Sequence, residues 1–133
     1  MRGTVDFTVP QSFIRIIYVG DDTVHPKCKK IAKALINSRH KTVTICVEDN
    51  GQEWHYTAIL ANIFDDASLM IGYWGGGQCG VYGLNNPNDS DEIAHALGFY
   101  LRQHKDCLDA ITNIKTDDHI LDVCVCPLKV QSI

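Results

Sequence analysis

The cysteines and histidines are the residues of this sequence that are best suited to catalysis or metal binding. Two alternating runs flank Asn50-Gly51, and a turn at those two residues places Cys46 directly opposite His55. A thiol beside an imidazole is the minimum for an activated nucleophile, but catalysis also calls for a third group that orients the base. The sequence offers no evident third group, and such cross-strand pairs also arise in ordinary sheets. A small enzyme with a Cys/His or carboxylate site is therefore the alternative interpretation.

Metal binding is a second use of these residue types. His25-x-x-Cys28 and Cys124-x-Cys126 offer four ligands, but neither has the Cys-x-x-Cys spacing that is typical of zinc sites. Cys124 and Cys126 alternate with valines, a pattern typical of buried strand packing. We therefore expect no metal and no other cofactor.

The six cysteines are expected to be reduced and mostly buried. Residues 1–10 lack the apolar segment of a secretory leader, and the domain is large enough to fold without disulfides. We accordingly expect a cytoplasmic location.

Two patterns that suggest phosphate or nucleic-acid binding have simpler explanations. Gly75-Gly76-Gly77 joins two expected strands and has no cation nearby, so it fits a glycine-rich hairpin better than a phosphate loop. Lysines occupy the polar face of the first expected helix, at Lys27, Lys29, Lys30 and Lys33. No aromatic residues are interleaved with them, and the chain is acidic overall, so no nucleic-acid partner is expected.

Charge is distributed very unevenly along the chain. The net charge is −4, yet residues 1–41 are net positive and residues 42–101 contain no Lys or Arg. Such asymmetry is typical of a partner surface, although plain solubility also accounts for it. The expected partner-binding residues are acids from this segment with one histidine and one tryptophan: Glu48, Asp49, Glu53, His55, Asp65, Asp66, Trp74, Asp89 and Asp91.

Length and apolar periodicity predict one α+β domain over residues 1–133. No apolar run approaches the roughly 20 residues that span a bilayer, so no membrane association is expected. The expected order is a strand, a helix, a four-strand meander, a second helix and a last strand. The expected elements are a strand at 13–19, a helix at 26–37, a hairpin within 42–63, strands at 69–74 and 79–84, a helix at 91–104, a weaker helical turn at 108–114 and a last strand at 120–130. The predicted fold class is a single layer of mostly antiparallel sheet, with a central meander, packed with two main helices.

Two local signals refine this layout. The hairpin register pairs Val47 with Trp54 on an apolar face, together with Ile45/Tyr56 and Val43/Ala58. Its opposite face pairs Glu48 with Glu53, Cys46 with His55 and Thr44 with Thr57, and is expected to be open. Asp89 and Glu92 have the spacing of a capping box for the second helix.

The order of these features is similar to that of small immunity proteins of bacterial polymorphic-toxin and contact-dependent inhibition systems. A basic helix leads to a strand, a turn at Glu48-Asp49-Asn50-Gly51 and a second strand. The strand at 69–74, a glycine turn, an acidic loop and the helix at 91–104 follow. The resemblance covers roughly residues 26–105 in layout.

The resemblance implies a non-enzymatic protein that neutralises a cognate toxin by occluding its active site. The acidic segment suggests a basic, nuclease-type toxin, because a nuclease carries a positive groove for phosphate. A ligand-binding or structural subunit is a third interpretation. The oligomeric state stays open.

Overall fold

The computed structural model describes residues 5–6, 14–20, 23–63, 65–73, 80–103, 108–116, 124–125 and 131–132. Short strands at both ends of the chain flank a long central region of helix and sheet. In chain order the elements are β1 (Val5–Asp6), β2 (Ile14–Arg15), α1 (Pro26–Asn37), β3 (Thr42–Asp49), β4 (Gln52–Ile63), β5 (Asp66–Tyr73), β6 (Gly80–Gly83), α2 (Ser90–Gln103), a 3-10 turn (Leu108–Ala110), β7 (Ile111–Lys115), β8 (Cys124–Val125) and β9 (Gln131–Ser132).

The meander from β3 to β6 is antiparallel, and the expected hairpin register is confirmed. Val47 pairs with Trp54, Cys46 with His55 and Glu48 with Glu53. Asn50 and Gly51 both have positive φ, at 52° and 81°, as a two-residue type I′ turn requires. The turn chemistry therefore determines which side chains of β3 and β4 meet.

In the described part of the chain, the main sheet has the order β2-β6-β5-β4-β3-β7, with β9 pairing to β4 beyond the end of β3. Both helices contact one face of this sheet and each other. Their apolar stripes, such as Cys28, Ile31 and Leu35 in α1, join the buried core with Ile45 and Tyr56 of the sheet. The α+β class with one sheet packed against two helices is confirmed.

The helix starts are capped by side chains. Pro26 is the first residue of α1, and His25 Nδ1 accepts a hydrogen bond from the backbone N–H of Lys27 at 3.1 Å. Asp89 Oδ1 accepts from the backbone N–H groups of Asp91 at 3.0 Å and Glu92 at 3.4 Å. Neither helix among the described residues has the length and apolar character needed to cross a membrane.

The expected capping box is only half formed. Asp89 caps α2 as predicted, but the Glu92 carboxylate does not reach back to it. Glu92 is buried, and its two oxygens accept from the backbone N–H groups of Asn85 at 2.7 Å and Asn86 at 2.8 Å. Glu92 therefore fastens the loop between β6 and α2 to the helix, because two backbone donors are available there.

Several expected elements differ in extent or type. Of residues 14–19, the described part of the strand expected at 13–19, Ile14 and Arg15 pair with a strand, and they pair in parallel with β6. The helical turn expected at 108–114 is a short 3-10 turn followed by β7, which pairs with β3. Of the last expected strand, Cys124 and Val125 pair with β1, and the rest of 120–130 lies outside the described residues.

The second face of the hairpin is buried, so the expectation of an open face is wrong for most of its length. Thr44, Cys46 and Thr57 are at most 4% exposed, and Ile59 and Met70 on the same face are buried too. Strand alternation marks which residues share a face, but it does not show whether another part of the chain covers that face. Only the turn-proximal end, at Glu48 and Glu53, is exposed.

Candidate functional site

Three acidic residues flank the turn between β3 and β4, and they are here called the acidic tip: Glu48, Asp49 and Glu53. Glu48 and Glu53 lie directly opposite each other, and both are exposed. Like charges in directly opposed positions repel, so this pair costs stability in the free protein. Among the described residues, Glu48 has no ion-pair partner. Glu48 thus places a negative charge without a described ion-pair partner at the tip.

Aromatic packing stiffens the hairpin that carries the acidic tip. Trp54 contacts Tyr73 at a ring-centroid distance of 5.2 Å, and Tyr73 contacts Tyr56 at 5.4 Å. Tyr56 in turn meets Tyr100 of α2 edge-on at 6.2 Å. The hairpin is therefore fixed to the core, and the tip is held in a defined position.

The remaining acidic residues do not join this group. Asp65 and Asp66 lie at the β4–β5 turn, and Asp66 pairs with Ile63 at the far end of β4. Ten residue steps separate Glu53 from Ile63, which is about 33 Å at roughly 3.3 Å per residue. The expected partner residues therefore divide between the two ends of the sheet.

Two of the expected partner residues have structural roles, and a third is not among the described residues. Asp89 caps α2, and Asp91 forms an ion pair with Lys29 of α1 at 3.0 Å. Trp74 lies outside the described residues, and so do Gly75-Gly76-Gly77. The exposed acids of the expected surface are therefore Glu48 and Glu53 of the acidic tip and Asp65 and Asp66 of the β4–β5 turn, and the tip is distinguished by its directly opposed pair.

Next to the tip, Cys46, Glu53 and His55 come together on the second face of the hairpin. Their potential metal-ligand atoms all lie within 4.8 Å of one another. His55 Nε2 lies 2.5 Å from Glu53 Oε1, in contact with a carboxylate that sequence reasoning did not assign to it. The strand period of two predicts this contact, because residues 53 and 55 share a face.

This cluster has the composition of a Cys–His–carboxylate nucleophile, but the thiol is poorly suited to attack. Cys46 is 2% exposed, and burial, with a smaller contribution from Glu53, raises the pKa of its thiol despite the opposing charge of Lys115. A nucleophilic cysteine needs both access and thiolate character. The geometry therefore favours another use of these three side chains. Cys28 of α1 is also buried.

Two of the four lysines of α1, Lys27 and Lys29, make contacts within the fold. Lys27 Nζ donates to the backbone oxygens of Asp109 at 3.0 Å and Ile111 at 3.1 Å, and so ties β7 to α1. A groove of about 310 Å³ lies beside this contact. It is lined by Lys27, Lys30, Ile111, Thr112, Asn113 and Ile114. With Lys29 paired to Asp91, the helix does not present four free cations.

Comparison with protein-family models, curated proteins and solved structures gave no match.

Proposed function

We propose that this protein is a non-enzymatic binding protein that contacts a basic protein partner through the acidic tip. The observation that carries the proposal is the exposed Glu48–Glu53 pair, set in register by the Asn50-Gly51 turn, with Asp49 beside it. A cationic partner converts the repulsion of the free protein into attraction. Such steering also accelerates association.

The partner class is a secreted nuclease-type toxin, and the protein acts as its immunity protein. A nuclease active site presents positive charge to phosphate, and a narrow acidic hairpin suits insertion into such a groove. The layout similarity to immunity proteins supports this partner class. The rigid aromatic base of the hairpin supports it too, because a preorganised binding element loses little conformational entropy on docking.

The test uses the nuclease domain of the toxin gene nearest to the gene for this chain. Co-expression with the wild-type protein should restore growth, and the two purified proteins should associate faster at low salt. The double variant Glu48→Lys, Asp49→Lys should lower the association rate by about 10-fold or more at low salt, because steering contributes about 10–10³-fold. Its stability should be unchanged or higher, because the Glu48–Glu53 repulsion is removed.

The matched control places the same charge change at the other end of β4. Asp65→Lys, Asp66→Lys has the same net charge as the tip variant, so it separates local contact from overall charge. We expect it to retain most of the association rate. Equal effects of the two double variants, or full binding by a folded tip variant, would contradict the assignment of the tip.

A further inference from the structure

We propose that Cys46, Glu53 and His55 form a binding site for one divalent transition-metal ion of the Zn²⁺ type. The three side chains project from paired positions of β3 and β4, and their ligand atoms lie within 4.8 Å of one another. This inference goes beyond the proposed function and does not depend on it.

The register of the hairpin explains how the ligands meet without a sequence knuckle. Cys46 lies directly opposite His55, and Glu53 follows two residues before His55 on the same face. The Asn50-Gly51 turn fixes this register, so the ligand set is built by strand pairing. Motifs of closely spaced ligands, such as His25-x-x-Cys28 and Cys124-x-Cys126, do not include such a set.

The donor set selects the class of ion. One sulfur, one imidazole nitrogen and one carboxylate oxygen suit Zn²⁺ and related borderline ions, whereas Mg²⁺ and Ca²⁺ prefer oxygen ligands alone. Metal coordination also resolves the difficulty of the buried thiol, because a coordinating thiol is deprotonated by the ion itself. The buried position that disfavours a nucleophile is therefore suitable for a ligand.

The required rearrangement is small. Tetrahedral zinc with bonds of about 2.0–2.3 Å separates its ligand atoms by roughly 3.3–3.6 Å. The His55–Glu53 contact of 2.5 Å must therefore open by about 1 Å, and the Cys46 sulfur, which lies within 4.8 Å of both partners, must approach them by at most about 1.5 Å. The side chains of His55 and Glu53 are 32% and 57% exposed, so they have room to turn.

An unpaired hydroxyl on the same face provides a second, independent indication. Thr44 is 4% exposed, and its Oγ1 has no hydrogen-bond partner among the described residues. Thr44 lies two residues from Cys46, on the same face of β3. Three protein ligands leave one position of a tetrahedral ion for water. A water in that position is a candidate partner for the Thr44 hydroxyl.

The test is metal titration of the reduced, metal-free full chain with Zn²⁺, followed by calorimetry and thermal unfolding. We expect one strong site per chain and a midpoint that rises with Zn²⁺. Co²⁺ in place of Zn²⁺ should give a thiolate-to-metal charge-transfer absorption. Glu53→Gln and His55→Asn should each weaken binding by about 100-fold or more, since losing even an outer-shell partner costs roughly 10–100-fold. Cys46→Ser should abolish the charge-transfer absorption.

Cys28→Ala is the matched control, because it removes a buried thiol of α1 that lies outside the cluster. It should retain the site and the absorption band. If Cys46→Ser fails to fold, the variants Glu53→Gln and His55→Asn still test the site. Absence of a strong site in the wild type overturns the proposal, and so does binding that persists in folded Glu53→Gln and His55→Asn.

Discussion

Gly51 shows how one residue determines the whole candidate site. A Cβ added at Gly51 meets nothing within 4 Å, and the same holds at Gly20. The two positions differ in backbone conformation, because Gly51 has φ of +81° whereas Gly20 lies outside that positive-φ region. An added methyl group therefore has equal space at both positions, and the two differ in whether an L-residue readily adopts the local φ.

We predict that Gly51→Ala lowers the free energy of unfolding by about 1–2 kcal/mol, the cost of the left-handed region for an L-residue. Gly20→Ala should be neutral or slightly stabilising, because it restricts only the unfolded chain. Urea unfolding of both variants beside the wild type measures the difference. Equal effects at the two positions would show that the turn conformation is not the cause.

The Cys46 thiol makes the stability depend on alkaline pH. Burial raises its pKa above the ordinary value of 9.0, so the folded chain retains a proton that the unfolded chain releases first. Above the unfolded pKa the unfolded state binds fewer protons, and stability therefore falls as the pH rises. The contribution is fully present below that pKa and is lost as the pH passes through the folded value.

We predict that Cys46→Ala reduces this alkaline fall in stability relative to the wild type, with both proteins kept in a metal chelator. The variant should also be less stable at neutral pH, because a buried sulfur is removed. Chemical denaturation at a series of pH values from neutral to alkaline provides the measurement. A fall of the same size in both proteins would mean that other groups dominate it.

At the scale of elements, sequence patterns predicted those parts whose signals are local. The bounds of α1 follow from Pro26 and the apolar spacing, and the β3–β4 register follows from Asn50-Gly51. β7 was missed, because its strand state comes from pairing with β3, a contact distant in sequence. The predicted contact of Glu92 with the start of α2 was wrong for a related reason. The backbone N–H groups of Asn85 and Asn86 donate to its carboxylate instead.

The attachment of β7 depends on one α1 side chain. We predict that Lys27→Met, which removes two hydrogen bonds to backbone carbonyls, lowers stability by about 1–3 kcal/mol. Amide exchange in β7 should rise more than exchange in β5. Lys33→Met is the control, because Lys33 is exposed on the same helix, and its effect should stay within about 0.5 kcal/mol. Indistinguishable exchange in the two variants would rule out the proposed tie.

At the scale of the whole molecule, the cation-free segment does not form one surface. The length of β4 separates the acidic tip from Asp65 and Asp66, and Asp91 is matched by Lys29 from the basic N-terminal part of the chain. Charge counted along a sequence cannot reveal this division, because pairing in three dimensions decides which charges stay uncompensated.

The cluster of Cys46, Glu53 and His55 was partly predictable from the sequence. The hairpin register predicts the Cys46–His55 pair, and strand alternation places the Glu53 carboxylate on the same face.

The short strand β7 also bears on aggregation. It covers the edge of β3, where residues 42–47 are uncharged and rich in β-branched side chains, a composition that favours intermolecular strand addition when exposed. The pairing is interrupted by a bulge between Cys46 and Val47, and β7 ends in the exposed Lys115. Bulges and lysines are common means of preventing sheets from joining edge to edge. By holding β7 in place, Lys27 therefore shields the exposed edge that β3 would otherwise offer to another strand.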